Sequence, residues 1–146
     1  MTIDSGKLKD KHNAKAPDAG VIMDILNQHK DVVELFSDAC VHCTFCSESC
    51  FMQNNHERDP SFMPSYKVIH STIKLYRRKG RVSWEDLEQI RDIVWKKCVL
   101  CTRCYCPMHL NIPQLISIAR DICRSQGVIP ETVEDQTMET QKAEMI

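Results

Sequence analysis

The chain has 146 residues, a formal net charge of −1, four glycines and nine cysteines. That length suits one domain, and the near-neutral charge argues against a non-specific binder of nucleic acid. No run of about 18 apolar residues is present to span a bilayer, and Met1 to Lys15 carry no apolar stretch of the secretory type. The sequence thus reads as that of a cytoplasmic protein, where clustered cysteines point to metal binding or catalysis rather than to a disulfide framework. The odd cysteine count also argues against complete pairing.

Residues 1–18 are polar and read as a flexible tail. A helix is expected from Ala19 to Ser37. Asp18 would be its N-cap, and Ile22, Ile25, Leu26, Val32, Val33 and Phe36 its buried side. His29 lies within that stripe and reads as a packed or partly exposed side chain, because no second ligand is spaced to join it. Cys40, Cys43, Cys46 and Cys50 follow at C-x2-C-x2-C-x3-C spacing, with Phe51 where a proline often stands.

Asp59-Pro60 and Met63-Pro64 break the chain. A helix is expected from Ser65 to Lys79, buried through Val68, Ile69, Thr72, Ile73 and Tyr76 and ended by Gly80. This segment also carries Lys67, Lys74, Arg77, Arg78 and Lys79, followed by Arg81. Three readings fit those cations: a solvated face, a docking patch for an acidic partner, or positive groups that offset an anionic centre. Ser83 and Asp86 form a capping-box pattern before a helix from Trp84 to Lys97. That helix runs into Cys98, Cys101, Cys104 and Cys106, and Pro107 closes the stretch. Asn111 is placed to cap a last helix, Pro113 to Gln126, stopped by Gly127. Cys123 on this helix reads as a core residue. Residues 128–146 form an acidic tail, disordered or docked on a partner. The globular part is therefore expected over residues 19–127.

Three cysteines at every third residue let a short loop wrap three corners of an iron–sulfur cube. In the bacterial-type run C-x2-C-x2-C-x3-C-P, the fourth cysteine ligates the other cluster when there are two. The second stretch departs from that run, since Tyr105 alone separates Cys104 from Cys106. A crossed arrangement assigns Cys40, Cys43, Cys46 and Cys106 to one [4Fe–4S] cluster, and Cys98, Cys101, Cys104 and Cys50 to the other. Cys123 or an open iron position are the alternatives to Cys106. His42, inside the first loop, reads as a neighbour of the cluster or a surface residue. The competing reading is a structural zinc module for assembly. Tetrahedral zinc does not need a third cysteine at the same short interval. No glycine-rich nucleotide loop or catalytic constellation stands out, so no catalytic residue is assigned. The expected fold class is all-α, a pseudo-symmetric bundle around two iron–sulfur clusters.

The two cysteine motifs, with the linker Asp59-Pro60…Met63-Pro64-Ser65-Tyr66-Lys67, resemble the iron–sulfur part of heterodisulfide-reductase-type proteins. That group includes the small C subunit of heterodisulfide reductase and the related subunit of sulfate reducers' membrane electron-transfer complexes. The resemblance spans about Ala39 to Gly127. It implies an α-helical ferredoxin with two [4Fe–4S] clusters that relays electrons within a larger complex. The implied partners are a flavoprotein or membrane cytochrome and a catalytic subunit with cysteine-rich CCG repeats. Those repeats are missing from this chain, so the resemblance implies a non-catalytic subunit, soluble or held at the inner membrane face through partners.

Overall fold

The computed structural model describes residues 15–131, and every regular element among them is helical. Helix α1 spans Ala19–Gln28 and α2 spans Lys30–Ala39. The short α3 is Phe51–Asn54, and α4 is Pro64–Val68. A π-helical turn, Ile69–Ile73, joins α4 to α5, Lys74–Arg77. Helix α6 covers Trp84–Arg91 and continues as a second π-helical stretch, Asp92–Lys96. Helix α7, Ile112–Ser125, is the longest.

Local chemistry sets most of the boundaries. Asp18 accepts from the backbone N–H groups of Gly20 and Val21, which have no partner inside the first turn of α1. The Ser83 hydroxyl accepts from Asp86 N–H while the Asp86 carboxylate accepts from Ser83 N–H, the reciprocal cap expected at α6. Asn111 Oδ1 caps α7 through Gln114 N–H at 3.2 Å. Gly80 takes φ +72°, and a Cβ there would meet the Ala19 carbonyl oxygen at 2.8 Å. Glycine is thus required twice over, by backbone conformation and by the close approach of α1.

The expected single helix from Ala19 to Ser37 is two helices. His29 leaves the helical region (φ −119°, ψ 26°), and its carbonyl starts α2 by accepting from Val33 N–H. The break lets Ile22 and Leu26 of α1, and Val33 and Phe36 of α2, reach the same core on separate axes. The expected helix Ser65–Lys79 is interrupted by its π turn, where two hydroxyls bind backbone. Ser71 donates to the Lys67 carbonyl and Thr72 to the Leu115 carbonyl, each at 2.6 Å. Such side-chain bonds compete with the regular helical ladder and widen it.

Helix α7 is the centre of the core. Leu115, Ile116, Ile118, Ala119, Ile122 and Cys123 are all at most 2% exposed. It packs on α1, α4, α6 and both π stretches. Each of the leucine and isoleucine side chains contributes about 2 kcal/mol by leaving water. Cys123 sits in this core as the sequence suggests, its thiol directed at the Leu87 carbonyl. Lys15 to Asp18, within the expected N-terminal tail, contact the body. Trp84 Nε1 donates to the Lys15 carbonyl, Pro17 is buried, and Asp18 N–H donates to Gln126 Oε1. The rest of that tail, residues 1–14, and residues 132–146 of the acidic tail lie outside the described residues. No described helix is long and apolar enough to cross a membrane.

Candidate metal centre

Helices α2 and α6 each deliver the chain into a cysteine loop, and the two loops share one backbone pattern. In the first, His42 (φ 54°) and Thr44 (φ 63°) are left-handed. In the second, Leu100 (φ 51°) and Thr102 (φ 63°) occupy the same places between Cys98, Cys101 and Cys104. Left-handed backbone at non-glycine residues costs roughly 1–3 kcal/mol each and persists where the surroundings require it.

The loops are fastened to each other. Ser49 Oγ donates to the Arg103 carbonyl and accepts from Tyr105 N–H. Phe45 and Tyr105 meet edge to face with ring centroids 5.6 Å apart.

Two hollows result, each open to solvent on one side. Cys40, Cys43, Cys46 and Cys106 line the first, with Phe36 and Ser65. Cys50, Cys98, Cys101 and Cys104 line the second, with Lys67 and Ile116. Each hollow therefore draws three thiols from one loop and one thiol from the other. Cys106 stands in the first hollow despite the short Cys104-Tyr105-Cys106 connection. With Tyr105 half-exposed between them, Cys104 and Cys106 serve opposite hollows. Cys123 lines neither.

Electrostatics group the thiols the same way. Burial pushes the Cys104 thiol up to about 12; Cys98, Cys50 and Cys101 add to the shift and Lys67 opposes it. Burial also raises Cys46; hydrogen bonds from the Ser65 backbone and side chain oppose that shift, while Cys40 and Cys106 add to it.

Sequence reasoning left the cations of residues 67–81 as one group, and the structure separates them. Lys74 and Arg78 hold Asp86 at 2.7 and 2.9 Å. Lys67 is 2% exposed and directs Nζ at Cys50 Sγ, 3.7 Å away. A lysine buried against a thiol suits a site whose sulfurs carry negative charge. Arg120 was not singled out in the sequence. Its guanidinium donates to the Val94 carbonyl (3.0 and 2.7 Å) and to the Cys98 carbonyl (2.7 Å), joining α7 to the start of the second loop. Its only sequence signal is an arginine on the core helix. His42 lines the first hollow but is exposed.

No group of three or more His, Cys, Asp or Glu side chains among the described residues is arranged to hold a single metal ion. Four thiols around each hollow, with the buried Lys67 at the second, fit a multi-iron cluster better than one ion.

An all-helical fold presenting such thiol sets defines a ferredoxin-type iron–sulfur protein with an electron-transfer role. Residues 36–110 match the family model described as the 4Fe-4S dicluster domain. That match covers half of the chain, which belongs to this family. No curated protein and no solved structure matches the chain.

Proposed function

We propose that this chain is the electron-relay subunit of a heterodisulfide-reductase-like complex and holds two [4Fe–4S] clusters. Cys40, Cys43, Cys46 and Cys106 would hold one, and Cys98, Cys101, Cys104 and Cys50 the other. The observation that supports the two clusters is the division of eight cysteines into two hollows of four, each drawing on both loops; the complex is suggested by the resemblance of the cysteine motifs and the Asp59–Lys67 linker. When bound, the clusters supply one-electron redox chemistry at potentials set by their surroundings. The chain's own residues ligate them, fix their spacing and exclude water from the inner sulfurs. Cys46, Cys50 and Cys98 are buried, while Cys43 and Cys101 are exposed. Each site thereby has one solvent-facing edge through which a partner exchanges an electron. The partners in this reading are a flavin- or cytochrome-bearing subunit and a CCG-type catalytic subunit. Any membrane association would run through them.

Anaerobically prepared protein should be brown, bleach with dithionite and hold about eight irons per chain. Cys106→Ser should disturb the cluster at Cys40 and leave the other signal in place. Cys123→Ala should change neither. Two unaltered clusters in Cys106→Ser would refute the crossed assignment, and colourless protein that carries zinc would refute the redox function. Copurification with a CCG-repeat subunit tests the complex, and a stable association with some other redox enzyme in its place rejects it.

A further inference from the structure

The two sites are near-copies in backbone and ligand spacing, yet they differ in the polar side chain that α4 presents to each. Ser65, a neutral hydroxyl, lines the first hollow. Lys67, two residues on, lines the second. Lys67 is 2% exposed, its Nζ lies 3.7 Å from Cys50 Sγ, and no carboxylate pairs with it among the described residues. Its placement is built in. The π turn begins at Ile69, and the Ser71 hydroxyl covers the Lys67 carbonyl at 2.6 Å. His42, at the first hollow, faces water, where any charge it carries is screened.

We propose that Lys67 makes the two sites unequal. Its buried ammonium group raises the reduction potential at the site of Cys50, Cys98, Cys101 and Cys104 above that at the site of Cys40, Cys43, Cys46 and Cys106. This rests on the two-cluster reading above. A positive charge held away from water stabilises the reduced, more anionic state of its neighbour and acts less on the farther site. A single electron entering the chain thus resides on the Lys67 side. An electron delivered at the Cys40 site moves downhill across the chain, oxidising that site by one electron and reducing the other by one. The outside donor and acceptor are one-electron redox groups of partner proteins. Lys67 is a positioning charge and takes no part in bond making.

The test is a redox titration of the cluster-loaded full chain followed by electron paramagnetic resonance. Wild type should show two separate potentials. Lys67→Met should lower the higher one by at least about 59 mV, a tenfold change in electron occupancy, and move the lower one far less. Lys67→Arg should restore most of the gap. Unchanged potentials in Lys67→Met, or a shift confined to the lower one, would overturn the proposal.

A second measurement does not depend on how Lys67→Met folds. Cys43→Ser should shift or abolish the lower-potential signal, and Cys101→Ser the higher one. The reverse assignment, or equal potentials in wild type, would overturn the proposal and leave the two-cluster reading intact. Protein devoid of iron–sulfur signals would instead overturn that reading.

Discussion

Replacing Arg120 by alanine should loosen the second cysteine loop far more than an ordinary surface truncation would. Its guanidinium serves the Val94 and Cys98 carbonyls, at the end of the α6 segment where helical hydrogen bonds run out. Each carbonyl served by a charged donor is worth about 1.5 kcal/mol or more. The group also lies 5.3 Å from the Trp95 ring centroid, adding roughly 0.5 kcal/mol. Arg120→Ala should therefore cost about 3.5 kcal/mol. At about 4 °C per kcal/mol for a domain of this size, that lowers the melting temperature by roughly 14 °C. Circular dichroism of the anaerobic, cluster-loaded chain reads the melt, and release of iron to a chelator reads the loop. Iron from the Cys98 side should leave first. Arg120→Lys, which keeps the charge but lacks the fork that spans two carbonyls, should recover only part of the loss. A melting temperature within about 3 °C of wild type, with iron release unchanged, would show that α7 does not hold this loop through Arg120.

Two further substitutions test the fold that carries the loops. The Lys74 hydrogen bond, with those from Ser83, holds the Asp86 carboxyl at about 2. A group depressed in this way stabilises the folded state above its unfolded value near 4, and the contribution fades as the pH falls from there toward 2. Asp86→Asn should lower stability at pH 7 by about 1–2 kcal/mol, allowing for solvent screening. The deficit relative to wild type should shrink in acid melts between pH 4 and 2, and a deficit independent of pH would contradict the assignment. Gly80→Ala must place a Cβ 2.8 Å from the Ala19 carbonyl oxygen at positive φ. It should cost about 2–4 kcal/mol in chemical denaturation; a loss under about 1 kcal/mol would mean that α1 shifts away freely.

What was legible in the sequence was local. Asp18, the Ser83–Asp86 pair, Asn111, Gly80 and Gly127 act on backbone groups within a few residues, so their types and spacing sufficed to place helix ends. The all-helical class and the iron–sulfur chemistry followed from periodicity and from cysteine spacing. The grouping of Cys106 with the first loop's thiols could be expected only as a pattern, and the folded chain brings those side chains to one hollow. The features that escaped depend on residues distant in sequence. His29 breaks the first helix because both halves must reach one core. The π turns arise where Ser71 and Thr72 bind carbonyls that only the folded chain supplies. Lys67 looked like one of a run of cations, and its burial is decided by the approach of Cys50 and α7. Arg120 gave no cue beyond being an arginine on the core helix, because its acceptors lie more than 20 residues earlier.

The division of each hollow between both loops also bears on how the protein is made. A ribosome releases the chain from its N-terminus, so Cys40, Cys43 and Cys46 emerge while Cys106 is still to be synthesised. No complete set of four thiols exists at either hollow until the second loop has been released. In the two-cluster reading, metal loading is thereby deferred until nearly the whole globular part is present, and the nascent chain passes through a stage in which the four thiols of the first stretch, Cys40, Cys43, Cys46 and Cys50, lack their partners. On that reading, a cell making this protein has to keep those thiols reduced until iron and sulfide arrive.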